Sequence, residues 1–192
     1  MAWGHRDFYS NTARVLDLKQ DDRLLEIGFG SGYFIKNYAS HVARVAGVDL
    51  SEDMVSLAGR VNKGLVQSSI AEFRVGDVSS LPYDDCEFTV VVGIETFFFW
   101  QEPVDSLRQI FSVLEPGGRL VLEMAYNKED GLDHSEDIRK MNLILYSADE
   151  MTDMLRESGF SDVEFTYYKG FWLPFKGHVV PKGMIVKAVK KS

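Results

Sequence analysis

Cysteine occurs once in this chain, at Cys86, so an intrachain disulfide is excluded and a reducing compartment fits. Cys86 sits in the polar turn Tyr83-Asp84-Asp85-Cys86-Glu87, with no base or helix start beside it, and reads as incidental to any chemistry. No apolar run reaches the ~20 residues that cross a bilayer. The opening Met1-Ala2-Trp3-Gly4-His5-Arg6-Asp7 lacks the apolar core of a secretion signal. Basic clustering is weak before Lys187-Ala188-Val189-Lys190-Lys191, and the net charge of -8 disfavours a non-specific grip on a nucleic-acid backbone. No cysteine- or histidine-rich cluster suggests a metal, and there is no internal repeat or low-complexity tract. These absences predict a cytoplasmic protein without metal, membrane or nucleic-acid partner. The 192 residues suffice for a single domain, 1–192, with a sizeable core.

What is there alternates between strand and helix patterns. Strands are predicted at Arg23 to Ile27, Ala43 to Val48, Ala71 to Val75, Phe88 to Gly93 and Arg119 to Met124. The fourth is apolar on both faces, as a central parallel strand should be. A helix opens at Gly32 and runs to Ser40. Ser51 caps the next, with Glu52 and Asp53 against the positive end of its dipole. Pro103 opens a helix to Leu114, which Pro116-Gly117-Gly118 stops. Ser147 and Glu150 form a capping box before another helix, ended by Gly159. The last two strands, Asp162 to Tyr168 and Met184 to Val189, are joined by a loop too short for a parallel crossover, which predicts an antiparallel pair. The segment 127–146 is the one long irregular stretch.

Leu24-Leu25-Glu26-Ile27-Gly28-Phe29-Gly30-Ser31-Gly32 reads as a buried strand entering a glycine-rich turn and then a helix. Val48-Asp49-Leu50 is a second strand ending on a carboxylate that is able to accept from ribose hydroxyls. Together they describe a nucleoside-cofactor site at the carboxyl edge of a parallel sheet. The dinucleotide fingerprint needs a further glycine where this chain has Tyr33. Asp49 alone does not choose between nicotinamide and other adenosyl cofactors. Asp77, after the third strand, has a carboxylate suited to an exocyclic amine, and the Val78 amide suits a ring nitrogen, which favours adenine read directly.

Glu26-x-Gly28-x-Gly30-x-Gly32, Asp49, Gly76-Asp77 with Leu81-Pro82, and Leu114-x-Pro116-Gly117-Gly118-x-Leu120 resemble the ordered motifs of class I S-adenosylmethionine-dependent methyltransferases, over roughly residues 9 to 189. The resemblance implies an α/β, Rossmann-like seven-stranded sheet of order 3-2-1-4-5-7-6, strand 7 antiparallel, with helices on both faces. It implies S-adenosyl-L-methionine as cofactor. The turn carrying Gly28, Phe29, Gly30 and Gly32 would pass its methionine part, with Glu26 orienting the turn and the ammonium group. Asp49 would hold the ribose, Leu50 and Met54 would flank the adenine, Asp77 and Val78 would read its edge, and Ile94 would lie beside the cofactor's chain.

The acceptor belongs beyond the carboxyl ends of strands four and five and in the loop between the last two strands. Two of those segments are aromatic, Phe97-Phe98-Phe99-Trp100 and Phe171-Trp172-Leu173-Pro174-Phe175. Phe97, Phe98, Trp100, Tyr126, Phe171 and Trp172 are therefore expected to line an acceptor pocket, with 127–146 as a partial lid. Packing of these aromatics in the core or a dimer interface is about equally open. Base candidates are Glu95, His134 and Tyr126, with Glu95 best placed; His5, His41, His134 and His178 otherwise read as surface or packing residues. The expected function is methyl transfer to a small, partly apolar molecule by a monomer or homodimer. The alternatives are a cofactor-binding subunit without turnover and a protein-directed methyltransferase; a nicotinamide oxidoreductase is disfavoured by Tyr33 and Asp77.

Overall fold

The computed structural model describes residues 6–168, 172–173, 178–179 and 183–191. The helices are α1 (Arg6–Leu16), α2 (Glu52–Val61), α3 (Lys63–Gln67), α4 (Pro103–Val113), α5 (Ser135–Met141) and α6 (Ala148–Glu157). The strands of the main sheet are β1 (Arg23–Ile27), β2 (Arg44–Asp49), β3 (Ala71–Val75), β4 (Phe88–Ile94), β5 (Leu114–Met124), β6 (Ser161–Tyr168) and β7 (Gly183–Val189). Trp172–Leu173 and His178–Val179 form a separate two-stranded ribbon. The order is β3-β2-β1-β4-β5-β7-β6, with β7 antiparallel to both β5 and β6. Fold class, strand order and the reversed last strand are as the sequence predicts.

Both faces of the sheet are covered because its central strands are apolar on both faces. Leu25, Ile27, Val48 and Val91 pack with Leu107 and Ile110 of α4 and Met151 and Leu155 of α6. Leu24, Val45, Val90 and Val92 pack with Leu16 of α1, Ala58 of α2 and Ile35 of a π-helical segment, Ile35–Ala39. Each large side chain taken fully out of water contributes about 1.5–3 kcal/mol.

Four local expectations change. The strand predicted from Arg119 begins at Leu114, because Leu114 pairs with Phe88 and Gly117 N–H donates to Lys190 C=O at 2.7 Å. The helix expected over Gly32 to Ser40 is wound wide over Ile35–Ala39. Helix α1 has no counterpart in the sequence reading: its inward face is Phe8, Thr12 and Leu16, and the central Thr12 breaks the apolar spacing while its hydroxyl donates to Phe8 C=O at 2.8 Å. Segment 127–146 contains α5, which buries no residue and so carries no apolar period. Among the described residues no helix is long and apolar enough to cross a membrane.

Candidate active site

A cleft of about 580 Å³, in the range of small-molecule sites, lies beyond the carboxyl ends of β1 to β4. Ile27 and Gly28 come from β1 and its turn, Val48, Asp49 and Leu50 from β2, and Gly76 to Ser79 from the end of β3. Glu95, Thr96, Phe99 and Trp100 follow β4, and Gln101, Glu102 and Ser106 open α4. Parallel strands put all these ends on one edge.

The glycine turn is built on three left-handed residues, Gly28, Gly30 and Gly32, with φ of +66°, +52° and +70°. Glycine adopts this conformation without steric cost. A Cβ on Gly28 would stand 2.7 Å from Thr96 Oγ1, so the turn is pressed against the loop after β4. At Gly32 it would stand 2.9 Å from Ala58 Cβ, so Gly32 itself provides the close helix approach that a glycine at position 33 provides in dinucleotide folds. Gly30 differs: nothing lies within 4 Å of a Cβ built there, which leaves its backbone open to a ligand.

Asp49 ties the turn to β2. Its Oδ2 accepts from Gly30 N–H at 2.9 Å and its Oδ1 from Ser51 N–H at 3.0 Å. Asp77 is held in a small turn, with Oδ1 accepting from Ser79 N–H and Oγ, both at 2.8 Å. Ser51 Oγ accepts from Met54 N–H at 3.4 Å and caps α2. Glu26 is 2% exposed, and its Oε2 has no hydrogen-bond partner in the structure. Burial, reinforced by the charge of Asp49, pushes its carboxyl well above the usual range.

A second acidic group lies at the ends of β4 and β5. Glu95, at φ +56°, is partly open to the cleft, receives the Ala125 N–H on its carboxylate, and donates its own N–H to Glu123 C=O at 3.0 Å. Glu123 is fully buried and accepts from the Tyr168 hydroxyl, while its Oε2 lacks a donor. Burial raises the pKa of both carboxyls, and the charge of Glu95 adds to the rise at Glu123. Tyr168 reaches Glu123 by lying across Gly183, where a Cβ would fall 1.9 Å from its ring.

A family model described as "Methyltransferase domain" matches residues 25–122, half of the chain, spanning the glycine turn, Asp49, Asp77 and the loop after β4. The chain belongs to the class I S-adenosylmethionine-dependent methyltransferases. A phosphoethanolamine N-methyltransferase of Triticum aestivum is 31% identical over 78% of the chain, and the match spans 30% of that protein. The 27-O-demethylrifamycin SV methyltransferase of Amycolatopsis mediterranei is 34% identical over 77% of the chain and 57% of its own length. The chain thus spans from under a third to a little over half of these relatives. Among solved structures, a phosphoethanolamine N-methyltransferase 2 of Haemonchus contortus, in complex with phosphomonomethylethanolamine and S-adenosylhomocysteine, superposes with a TM-score of 0.81 at 19% identity, over 97% of this chain and 53% of that one.

The methyltransferase brings Gly28, Asp49, Leu50, Asp77, Val78, Glu95 and Trp100 to one cleft. Glu26, Gly30 and Gly32 lie beside it in the strand and turn that form its edge. Phe29 and Ile94 are buried in the core on the α1 side, with Phe29 edge-on to Phe73 at 5.0 Å, and Met54 packs half-buried against that core. Phe97 and Phe98, expected to face the acceptor, are 0% and 3% exposed and join the core on the α4 side. In the 3-10 turn Phe97–Phe99 only one of three consecutive rings faces out, and it is Phe99, which the sequence reading left unassigned. Tyr126 packs on Phe98 and His134, and no residue of 127–146 is among those lining the cleft. His134 is buried against Asp130, 2.6 Å from Nε2 to Oδ2. Phe171 and the side chain of Trp172 lie outside the described residues. Thr96, Gln101, Glu102 and Ser106 were missed for want of a local pattern. Glu123 had one, a carboxylate inside an apolar strand in the manner of Glu26.

Proposed function

We propose that this methyltransferase binds S-adenosyl-L-methionine in the cleft and transfers its methyl group to a small, partly apolar molecule. The observation that carries the reading is Glu26: a buried carboxyl with an orphaned oxygen, beside a glycine turn whose Gly30 face is open. An acid in that state is stabilised by a cationic ligand, and the cofactor's ammonium group is one. The residues present fit the group. Asp49 retains lone pairs for ribose hydroxyls, Leu50 is 73% exposed and offers an apolar surface for adenine, and Asp77 with the Val78 amide suits its edge. The bound cofactor supplies an electrophilic methyl group on a positively charged sulfur. The protein's part is to align the acceptor and exclude water, for which Phe99 and Trp100 form an apolar wall. The cofactor-bound Haemonchus structure and the small acceptors in the relatives' names favour this reading over a nicotinamide enzyme.

Titration calorimetry with S-adenosylmethionine and S-adenosylhomocysteine tests it. Binding of both, weakened in Glu26→Gln and Asp49→Asn, is the expected result. NAD binding with no response to either compound overturns it. Release of S-adenosylhomocysteine on adding acceptors from a small-molecule panel separates an enzyme from a subunit that only holds the cofactor.

A further inference from the structure

We infer that the Glu95–Glu123 pair receives the acceptor's nitrogen, and that the acceptor is a protonated small amine whose proton passes to Glu95. The inference rests on the methyltransferase reading and adds the substrate class. Glu95 lines the cleft beside Phe99 and Trp100, so a ligand with an apolar body there reaches its carboxylate. Glu123 stands behind Glu95, fully buried, with one oxygen taken by Tyr168 and the other without a donor. Two buried carboxyls at neighbouring strand ends repel each other when both are charged, so one negative charge on the pair is favoured over two. The groups facing the pair are Tyr168 from β6, Tyr9 from α1 and Tyr126 after β5. None is a cation, and no lysine, arginine or histidine among the described residues forms an ion pair with Glu95 or Glu123. A buried anion with no counterion among the described residues is complemented by a monocation. A neutral alcohol would leave that charge uncompensated. In the reaction the ammonium N–H proton moves to a Glu95 oxygen and the nitrogen keeps the electron pair. That pair forms the N–CH3 bond, and the electrons of the S–CH3 bond leave with sulfur. Glu95 is the proton acceptor; Glu123 positions it and sets the pH at which it is charged.

The test is calorimetry on protein loaded with S-adenosylhomocysteine, using phenethylamine and tryptamine against 2-phenylethanol and tryptophol. Each amine should bind about tenfold or more tightly than its alcohol, as a charge-assisted contact implies. Glu95→Gln, measured at saturating S-adenosylhomocysteine, should bring the two within about twofold. Glu123→Gln removes the like charge, so the pH profile of amine binding should move to lower pH, a shift that a purely structural role would not produce. Equal affinity for amine and alcohol, a preference that survives both substitutions, or no amine binding by loaded protein overturns the inference. Failure to bind S-adenosylhomocysteine at all instead overturns the reading beneath it.

Discussion

At the amino edge of the sheet Asp22, Glu72, Glu87 and Glu115 each meet an arginine, whereas at the carboxyl edge Glu26, Glu95 and Glu123 have no ion-pair partner among the described residues. Arg119 Nη2 lies 2.7 Å from Asp22 Oδ2, Arg23 Nη2 lies 2.7 Å from Glu115 Oε2, and Arg44 bridges Glu87 and Glu72. One edge is electrostatically complete. The other holds buried acids that meet no cation among the described residues. The first arrangement serves the fold; in the proposed reading the second serves ligands, and the same strands carry both.

The largest effect should come from breaking the completed edge. Arg119→Ala leaves Asp22, 5% exposed, without its cation and should cost about 3 kcal/mol in urea unfolding. Burial pushes the Asp22 carboxyl up, but Arg119, the Lys19 amide and the Thr89 hydroxyl outweigh it and hold it below the ordinary 3.8. Its contribution is therefore present above that pH and lost as pH falls through the lowered native value. Arg119→Ala should flatten this acid limb of the stability profile.

The open edge should respond with the opposite sign. The raised native pKa of Glu26 means the folded chain keeps a proton that the unfolded chain releases. Stability from this group is full below the ordinary carboxylate range and declines as pH climbs toward the native value. Glu26→Gln should abolish that decline and leave the ligand-free protein more stable at neutral pH. The same substitution should weaken S-adenosylmethionine binding by about 2 kcal/mol, roughly thirtyfold. Denaturation across pH with and without the cofactor reads both.

Asp49→Asn sits between the extremes. It weakens the tie between Gly30 and Ser51 and should cost about 1 kcal/mol of stability, with a further loss in cofactor affinity measured by calorimetry. The smallest effect is Leu50→Ala. This exposed side chain should change stability by less than about 0.5 kcal/mol while reducing cofactor affinity several-fold. An equal loss in both would place Leu50 on the structural side of the comparison.

The fold was legible wherever a strand was continuously apolar or a helix carried its own cap. Strand β1 falls at Arg23–Ile27 as read, and Ser147 and Glu150 form a full capping box at the start of α6. Helix α1 was not legible, because its buried Thr12 is polar in sequence and satisfied only by its own turn. In the site, Asp49 and the glycine turn announced themselves by position after strands. The aromatic run 97–100 announced only its composition. Which rings face the cleft depends on the 3-10 turn that follows the left-handed Glu95, a backbone choice no residue in the run encodes. Glu123 is paired with Ile94 across β4 and β5, which brings it next to Glu95, and pairing between strands is invisible until the sheet is assembled.

The segment 127–146 is joined to the 3-10 turn beside the cleft by a backbone bond, Ile144 N–H to Phe98 C=O at 3.0 Å, and closed on itself by Lys128 N–H to Tyr146 C=O at 3.1 Å. Phe98 is the immediate neighbour of the wall residue Phe99 and packs edge-on against it at 4.7 Å. A ligand that shifts Phe99 therefore tugs on the Ile144 amide, and deuterium uptake at that single position becomes a gauge of occupancy.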